Sequence, residues 1–145
     1  MYLLDTTIVS LFDPYRRASA PPELKTWLRD NDAALFISVL SLMEIEAGLL
    51  KLLRELKHQR ASQIESLRDA IIDSFSDRLL PVSRDAALET ARLAATIRPM
   101  VIEQTDLIIA ATAKVHRFTV LTRNLRHFSP TGVACLDPML TLPPG

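Results

Sequence analysis

Three acids and one amide stand far apart in this chain, each at a junction where core packing does not call for it: Asp5, Glu44, Asp106 and Asn124. Carboxylates brought within ~4–6 Å of one another repel, and one takes up a proton unless something positive intervenes. No Lys or Arg adjoins Asp5 or Asp106 in sequence to play that part. A hard, oxygen-seeking dication such as Mg²⁺ or Mn²⁺ satisfies such a cluster without any His or Cys. The chemistry then open to it is attack by a metal-activated water.

Taken singly, each residue has a plainer explanation. Asp5 with Thr6 suits a helix N-cap. Ser41-Leu42-Met43-Glu44 has the form of a capping box. Asp106 can complement a helix dipole, and Asn124 suits a turn or a cap. What favours the metal is that four junctions supply an acid or amide to one sheet edge. On the Leu42, Ile45 and Leu49 helix, moreover, Glu44 lies off the apolar stripe. His58, His116 and His127 show no paired spacing for zinc and read as surface or packing residues. Cys135 is the only cysteine, so no internal disulfide forms, and it reads as a small buried apolar residue on a late strand.

The elements that must position these side chains follow from apolar spacing. Tyr2 to Leu4, Ala34 to Ser38, Thr119 to Leu121 and Val133 to Leu136 are short apolar runs that read as buried strands. Leu79 to Val82 reads as an edge strand, because it contains Pro81. Between them lie helical stripes: Leu24, Trp27 and Leu28; Leu42 to Leu56; Ile64, Leu67, Ile71 and Phe75; and a helix from Ser83 or Arg84 to Arg98. Pro14 is expected to end the first helix, with a loop over residues 16–20. The segment Asp106 to Val115 is apolar nearly all round, which predicts a helix in the middle of the domain. Strands alternating with helices predict an α/β fold, a small and mainly parallel sheet of about four to five strands covered on both faces. Ligands of such sheets bind beyond the carboxyl ends of the strands, where the four candidates fall.

At 145 residues the chain can bury one core without staples. We expect a single domain over residues 1–137 and a frayed proline-rich tail over 138–145. The 17 basic and 17 acidic residues cancel, which argues against a strong non-specific grip on nucleic acid and leaves room for local patches. No signal peptide is visible, and no apolar run approaches the ~20 residues of a membrane span, so a cytoplasmic protein is expected.

Four segments together resemble the ordered motifs of PIN domains, and most of all the VapC toxins of bacterial toxin–antitoxin pairs. They are Tyr2-Leu3-Leu4-Asp5-Thr6-Thr7, then Ile37 through Glu44 to Gly48, then Asp106 to Ala113, then Leu121-Thr122-Arg123-Asn124. The resemblance runs from residue 2 to about Leu136. It implies a PIN-like three-layer α/β/α sandwich and a Mg²⁺- or Mn²⁺-dependent endoribonuclease leaving 5′-phosphate and 3′-hydroxyl ends. It also implies a VapB-like antitoxin partner and commonly a homodimer. On this reading Asp5 and Asp106 bind the metal, Glu44 orients or deprotonates the attacking water, and Asn124 bonds a metal-bound water or a phosphate oxygen. Arg123, Arg16, Arg17 and Thr6 are candidate contacts to the RNA phosphate, with Arg126 nearby.

Two positions depart from the family pattern. Thr7 stands where an amide is usual, for which a modest loss of positioning is expected. Asn124 stands where Asp is frequent, which weakens a second metal site more than the first. Glu103, one turn before Asp106, could partly substitute. A haloacid-dehalogenase-type phosphatase would need a second Asp where Thr7 stands, and a receiver domain would need a Lys where Arg123 stands. The serious alternative is a catalytically weakened PIN fold kept as a binding module in an antitoxin-containing regulatory complex.

Overall fold

The computed structural model describes residues 1–16 and 18–145. In chain order the elements are β1 (Tyr2–Leu4), α1 (Thr6–Val9), α2 (Pro14–Arg17), α3 (Pro22–Asp30), β2 (Leu35–Ser38), α4 (Val39–Arg54) and α5 (His58–Phe75). There follow β3 (Leu79–Leu80), α6 (Arg84–Ile97), α7 (Gln104–His116), β4 (Thr119–Leu121), α8 (Leu125–Phe128) and β5 (Cys135–Leu136), with short 3-10 turns between. The five strands form one sheet in the order β3-β2-β1-β4-β5, and every pairing is parallel.

Because side chains alternate across a strand, each strand feeds two cores. Leu4, Leu35, Ile37 and Leu121 point to one face, where Ile8, Leu24, Trp27, Ile45, Leu67, Ile71 and Phe75 from α1, α3, α4 and α5 cover them. Leu3, Leu80 and Val120 point to the other, under Leu93, Leu107, Ile109, Ala110 and Phe128 from α6, α7 and α8. Burying each Val, Leu, Ile or Phe among them contributes about 1.5–3 kcal/mol. The chain is therefore the three-layer α/β/α sandwich expected. Leu79–Leu80 is indeed an edge strand, and the two-residue strand ends before Pro81. Within α7, Ile109, Ala110, Ala111 and Ala113 are wholly buried, as its all-round apolar pattern predicts.

Three local expectations are corrected. Pro14 does not end a helix but opens one. Asp13 is 1% exposed, and its side chain accepts from the Tyr15 amide at 3.2 Å and from Arg60 at 2.6 Å, so it caps α2 and ties α5 to it. Proline suits that first helical position because its missing N–H would be unpaired there anyway. The stretch read as a loop thus begins helical at Arg16. The tail is docked rather than frayed: Pro143 is buried, and the Tyr2 hydroxyl donates to the Pro144 carbonyl at 2.6 Å. Cys135 is half-buried rather than buried. No helix among the described residues is long and apolar enough to cross a membrane.

Candidate functional site

Strand register alone brings several candidates to one level. Leu4 lies opposite Ile37 on β2 and Leu121 on β4, so Asp5, Ser38 and Thr122 each stand one step past a strand position that is in line. The Asp5 amide donates to the Leu121 carbonyl at 3.0 Å and extends the ladder by one bond. From β1 the chain goes outward through β2 to β3, whereas β4 and β5 lie on the other side of β1. A parallel sheet opens a crevice at such a switch point. Asp5 and Thr122 flank it.

Asp5 is 3% exposed. Its Oδ1 accepts from the Thr7 amide at 3.0 Å, the Ile8 amide at 3.3 Å and the Thr7 hydroxyl, while Oδ2 accepts from the Thr122 hydroxyl at 2.7 Å. The helix-cap explanation therefore accounts for one oxygen and leaves the other to a residue 117 positions away. The same hydroxyls reach onward: Thr7 Oγ1 accepts from the Arg123 amide at 3.0 Å, and Thr122 Oγ1 from the Asn124 amide at 2.8 Å. They tie the loop after β4 to Asp5. Thr7, for which a modest loss of positioning is expected, bonds both Asp5 and the Arg123 amide.

Glu44 lies inside α4, whose cap is Ser38, accepting from the Leu40 amide at 3.1 Å. With Ser38 as the cap, Ser41 is already helical, and the capping box over residues 41–44 is not formed. The Thr6 hydroxyl lies 3.1 Å from Glu44 Oε1 and 2.9 Å from Ser41 Oγ. Carrying one proton, it donates to one of them at a time. Thr6, expected at a phosphate, thus engages Glu44.

Asp106 sits in the first turn of α7. That helix packs on β1 and β4 and leads directly into β4, so it runs against the strands and brings its N-terminus to their carboxyl ends. Its dipole favours negative charge there. Asp106 Oδ2 lies 2.8 Å from His127 Nδ1, and the same nitrogen lies 2.7 Å from Asn124 Nδ2. Asn124 occupies the cap position of α8 but its side chain does not cap the helix. The expectation that His127 is a surface or packing residue is corrected: it stands between two of the four candidates.

The acids feel one another. Burial pushes the Asp5 carboxyl above its ordinary range; bonds from Thr7, Thr122 and Ile8 oppose this, and the Asp106 charge adds to it. Burial likewise raises Glu44, the Thr6 bond opposes, and the charges of Asp106, Asp5 and Glu103 push it further. Glu103 is exposed just before α7, yet its charge reaches the same place. An all-oxygen set in mutual repulsion is the donor chemistry a hard dication suits. Among the described residues no three His, Cys, Asp or Glu side chains are drawn tightly enough together to hold an ion as they stand.

The basic candidates are more dispersed. Arg123 and Arg126 are exposed on the loop and short helix beyond β4, next to Asn124. Arg16 is exposed on α2, where its backbone bonds with Asp13 and Ser19. Arg17 lies outside the described residues. Thr122, Ser41 and His127 are not among the site candidates that the sequence suggests. The register of Thr122 with Asp5 and the three-residue step from Asn124 to His127 were the available signals.

A family model described as the PIN domain matches residues 2–132. Over 142 residues the chain is 32% identical to toxin FitB of Neisseria gonorrhoeae, covering 95% of this chain and 98% of that one. Over 141 residues it is 28% identical to VapC ribonuclease Y4jK of Sinorhizobium fredii, covering 95% and 97%. Its structure is similar to that of FitAcB from Neisseria gonorrhoeae, with a TM-score of 0.74, 27% identity, and 95% and 98% coverage.

Proposed function

Because this chain belongs to the PIN domain family, we propose that it is the toxin of a type II toxin–antitoxin pair, a Mg²⁺- or Mn²⁺-dependent endoribonuclease hydrolysing RNA phosphodiester bonds in the cytoplasm. Its partners on this reading are a VapB-like antitoxin and a second copy of itself. The observation that carries the reading is placement: Asp5 after β1, Glu44 bonded by the neighbouring Thr6, and Asp106 in the first turn of α7 come from three distant segments to one end of the sheet, where the Asp106 charge opposes ionisation of the other two.

Asp5, Glu44 and Asp106 would hold the ion. A divalent cation there supplies a Lewis acid that lowers the pKa of water and offsets charge on the phosphate. Asp5 is fixed in orientation by the Thr7 and Thr122 hydroxyls, so its carboxylate does not have to be ordered on binding. Glu44, with its proton affinity raised, is suited to take a proton from the attacking water at Oε2, the oxygen opposite its Thr6 bond. Arg123, exposed beside the Thr7 contact, is suited to a phosphate oxygen of the RNA.

The test is RNA cleavage by the wild-type chain, with EDTA, and by Asp5→Asn and Asp106→Asn. All three changes should lower the rate by at least about a hundredfold, as loss of a directly acting group does. Undiminished cleavage in all three refutes the mechanism. A binding module without activity has one observation on its side, the absence of three close ligands among the described residues. Calorimetric titration separates the two readings, since a chain that takes up no Mn²⁺ at millimolar concentration is the inert module.

A further inference from the structure

The His127 ring stands between Asp106 and Asn124, and one nitrogen faces both. Nδ1 is 2.8 Å from Asp106 Oδ2 and 2.7 Å from Asn124 Nδ2. A ring nitrogen offers either one N–H or one lone pair, never both. If Nδ1 were bare it would accept from the Asn124 amide, but its lone pair would then meet a carboxylate oxygen at hydrogen-bond distance. Two acceptors do not rest 2.8 Å apart without a proton between them. With the proton on Nδ1, the ring donates to Asp106, and the Asn124 amide turns its oxygen towards the ring.

Asp106 is 17% exposed at its side chain and lies at the open end of α7, with no strand ladder to fix it. The ring is attached through α8, whose Phe128 is wholly buried and whose His127 amide donates to the Asn124 carbonyl at 3.0 Å. His127 is thus an orienting arm mounted on the core. We infer that His127 is a positioning residue: its Nδ1–H clamps Asp106 Oδ2, directing Oδ1 to the cation, and Asn124 sets the ring rather than touching the ion. This rests on the metal-dependent reading above. Groups that orient a ligating carboxylate typically change metal affinity by about 10–100-fold when removed.

The experiment compares His127→Leu, His127→Asn and His127→Gln for Mn²⁺ affinity by calorimetry, with thermal melting to confirm that each folds. The amide nitrogen of Asn stands near the place of Nδ1, whereas that of Gln stands near Nε2. His127→Leu should weaken Mn²⁺ binding about 10–100-fold. Asn should restore most of the loss and Gln should not. RNA cleavage should fall in kcat with KM little changed. In an Asp106→Asn background, His127→Leu should add nothing, because it acts through the carboxylate already removed. Unchanged affinity in His127→Leu, equal behaviour of Asn and Gln, or additive losses in the double variant overturns the inference. A readout free of metal completes the test: the ¹⁵N spectrum of the His127 ring, assigned by its loss in His127→Asn, should show a proton on Nδ1. A bare Nδ1 overturns the clamp even if Mn²⁺ binds, whereas a wild-type chain that binds no Mn²⁺ with Nδ1 protonated overturns the metal reading and leaves the clamp standing.

Discussion

Glu44 shows how a single side chain can be useful to a site and costly to the fold. Its carboxyl titrates above the ordinary range because burial and three neighbouring acids disfavour its charge. Asp5 is shifted the same way. For an acid that is harder to ionise folded than unfolded, the folded state is favoured below both values. That advantage fades as pH rises from the unfolded value through the folded one, and at neutral pH the charge is a net cost. Glu44→Gln removes that charge while keeping an oxygen for Thr6. Metal-free Glu44→Gln should therefore melt on the order of 1–3 °C above wild type near neutral pH, with the gap closing as pH falls into the carboxylate range. Its RNA cleavage should collapse. Calorimetric melting across pH measures the first outcome, and a variant that melts lower at neutral pH would remove the repulsion argument.

At the scale of elements, α4 and α7 do the placing. Serine at position 38 starts α4 one residue beyond β2, and from there helical geometry alone puts Glu44 over Thr6. α7 has the harder task, since it is buried on the sheet under α6 and must still present Asp106 at its open end. Its alanines permit that: Ala110, Ala111 and Ala113 have no exposed surface, so the helix lies close against its neighbours. Ala110→Leu forces three extra carbons into this contact and should lower stability by about 1–3 kcal/mol, visible as a lower urea midpoint at unchanged slope. A neutral result would mean that α7 is less tightly held than its burial implies.

The whole molecule carries no net charge, so any hold on RNA depends on where its basic groups stand. Arg123 and Arg126 are exposed beyond β4, on the loop and short helix that also carry Asn124 and His127. Binding measured on an uncleaved RNA with Asp106→Asn should show a shallow salt dependence. Arg123→Ala should flatten the slope of log affinity against log salt by about 0.7, the share of one phosphate contact on a single strand. A slope unchanged by Arg123→Ala would remove this residue from the RNA path.

Much of this architecture was legible in the residues themselves. Apolar runs of three to five residues between helical stripes specify a covered parallel sheet, because only a strand buried on both faces is apolar without alternation. Asp5, Asp106 and Asn124 could be singled out because each sits at an element junction, and Glu44 because it lies off the apolar stripe of its helix. Edges of helices were less certain: Pro14 could close or open one, and only Asp13, held by Arg60 from α5, decided it. The finer site also came from contacts across the chain. Thr122 bonds Asp5 from 117 residues away, and His127 meets Asp106 from 21 away. Hydrophobic pattern is a local, periodic property and survives in the sequence. A hydrogen bond between distant side chains depends on register, helix direction and rotamer together, and those are settled only when the layers pack.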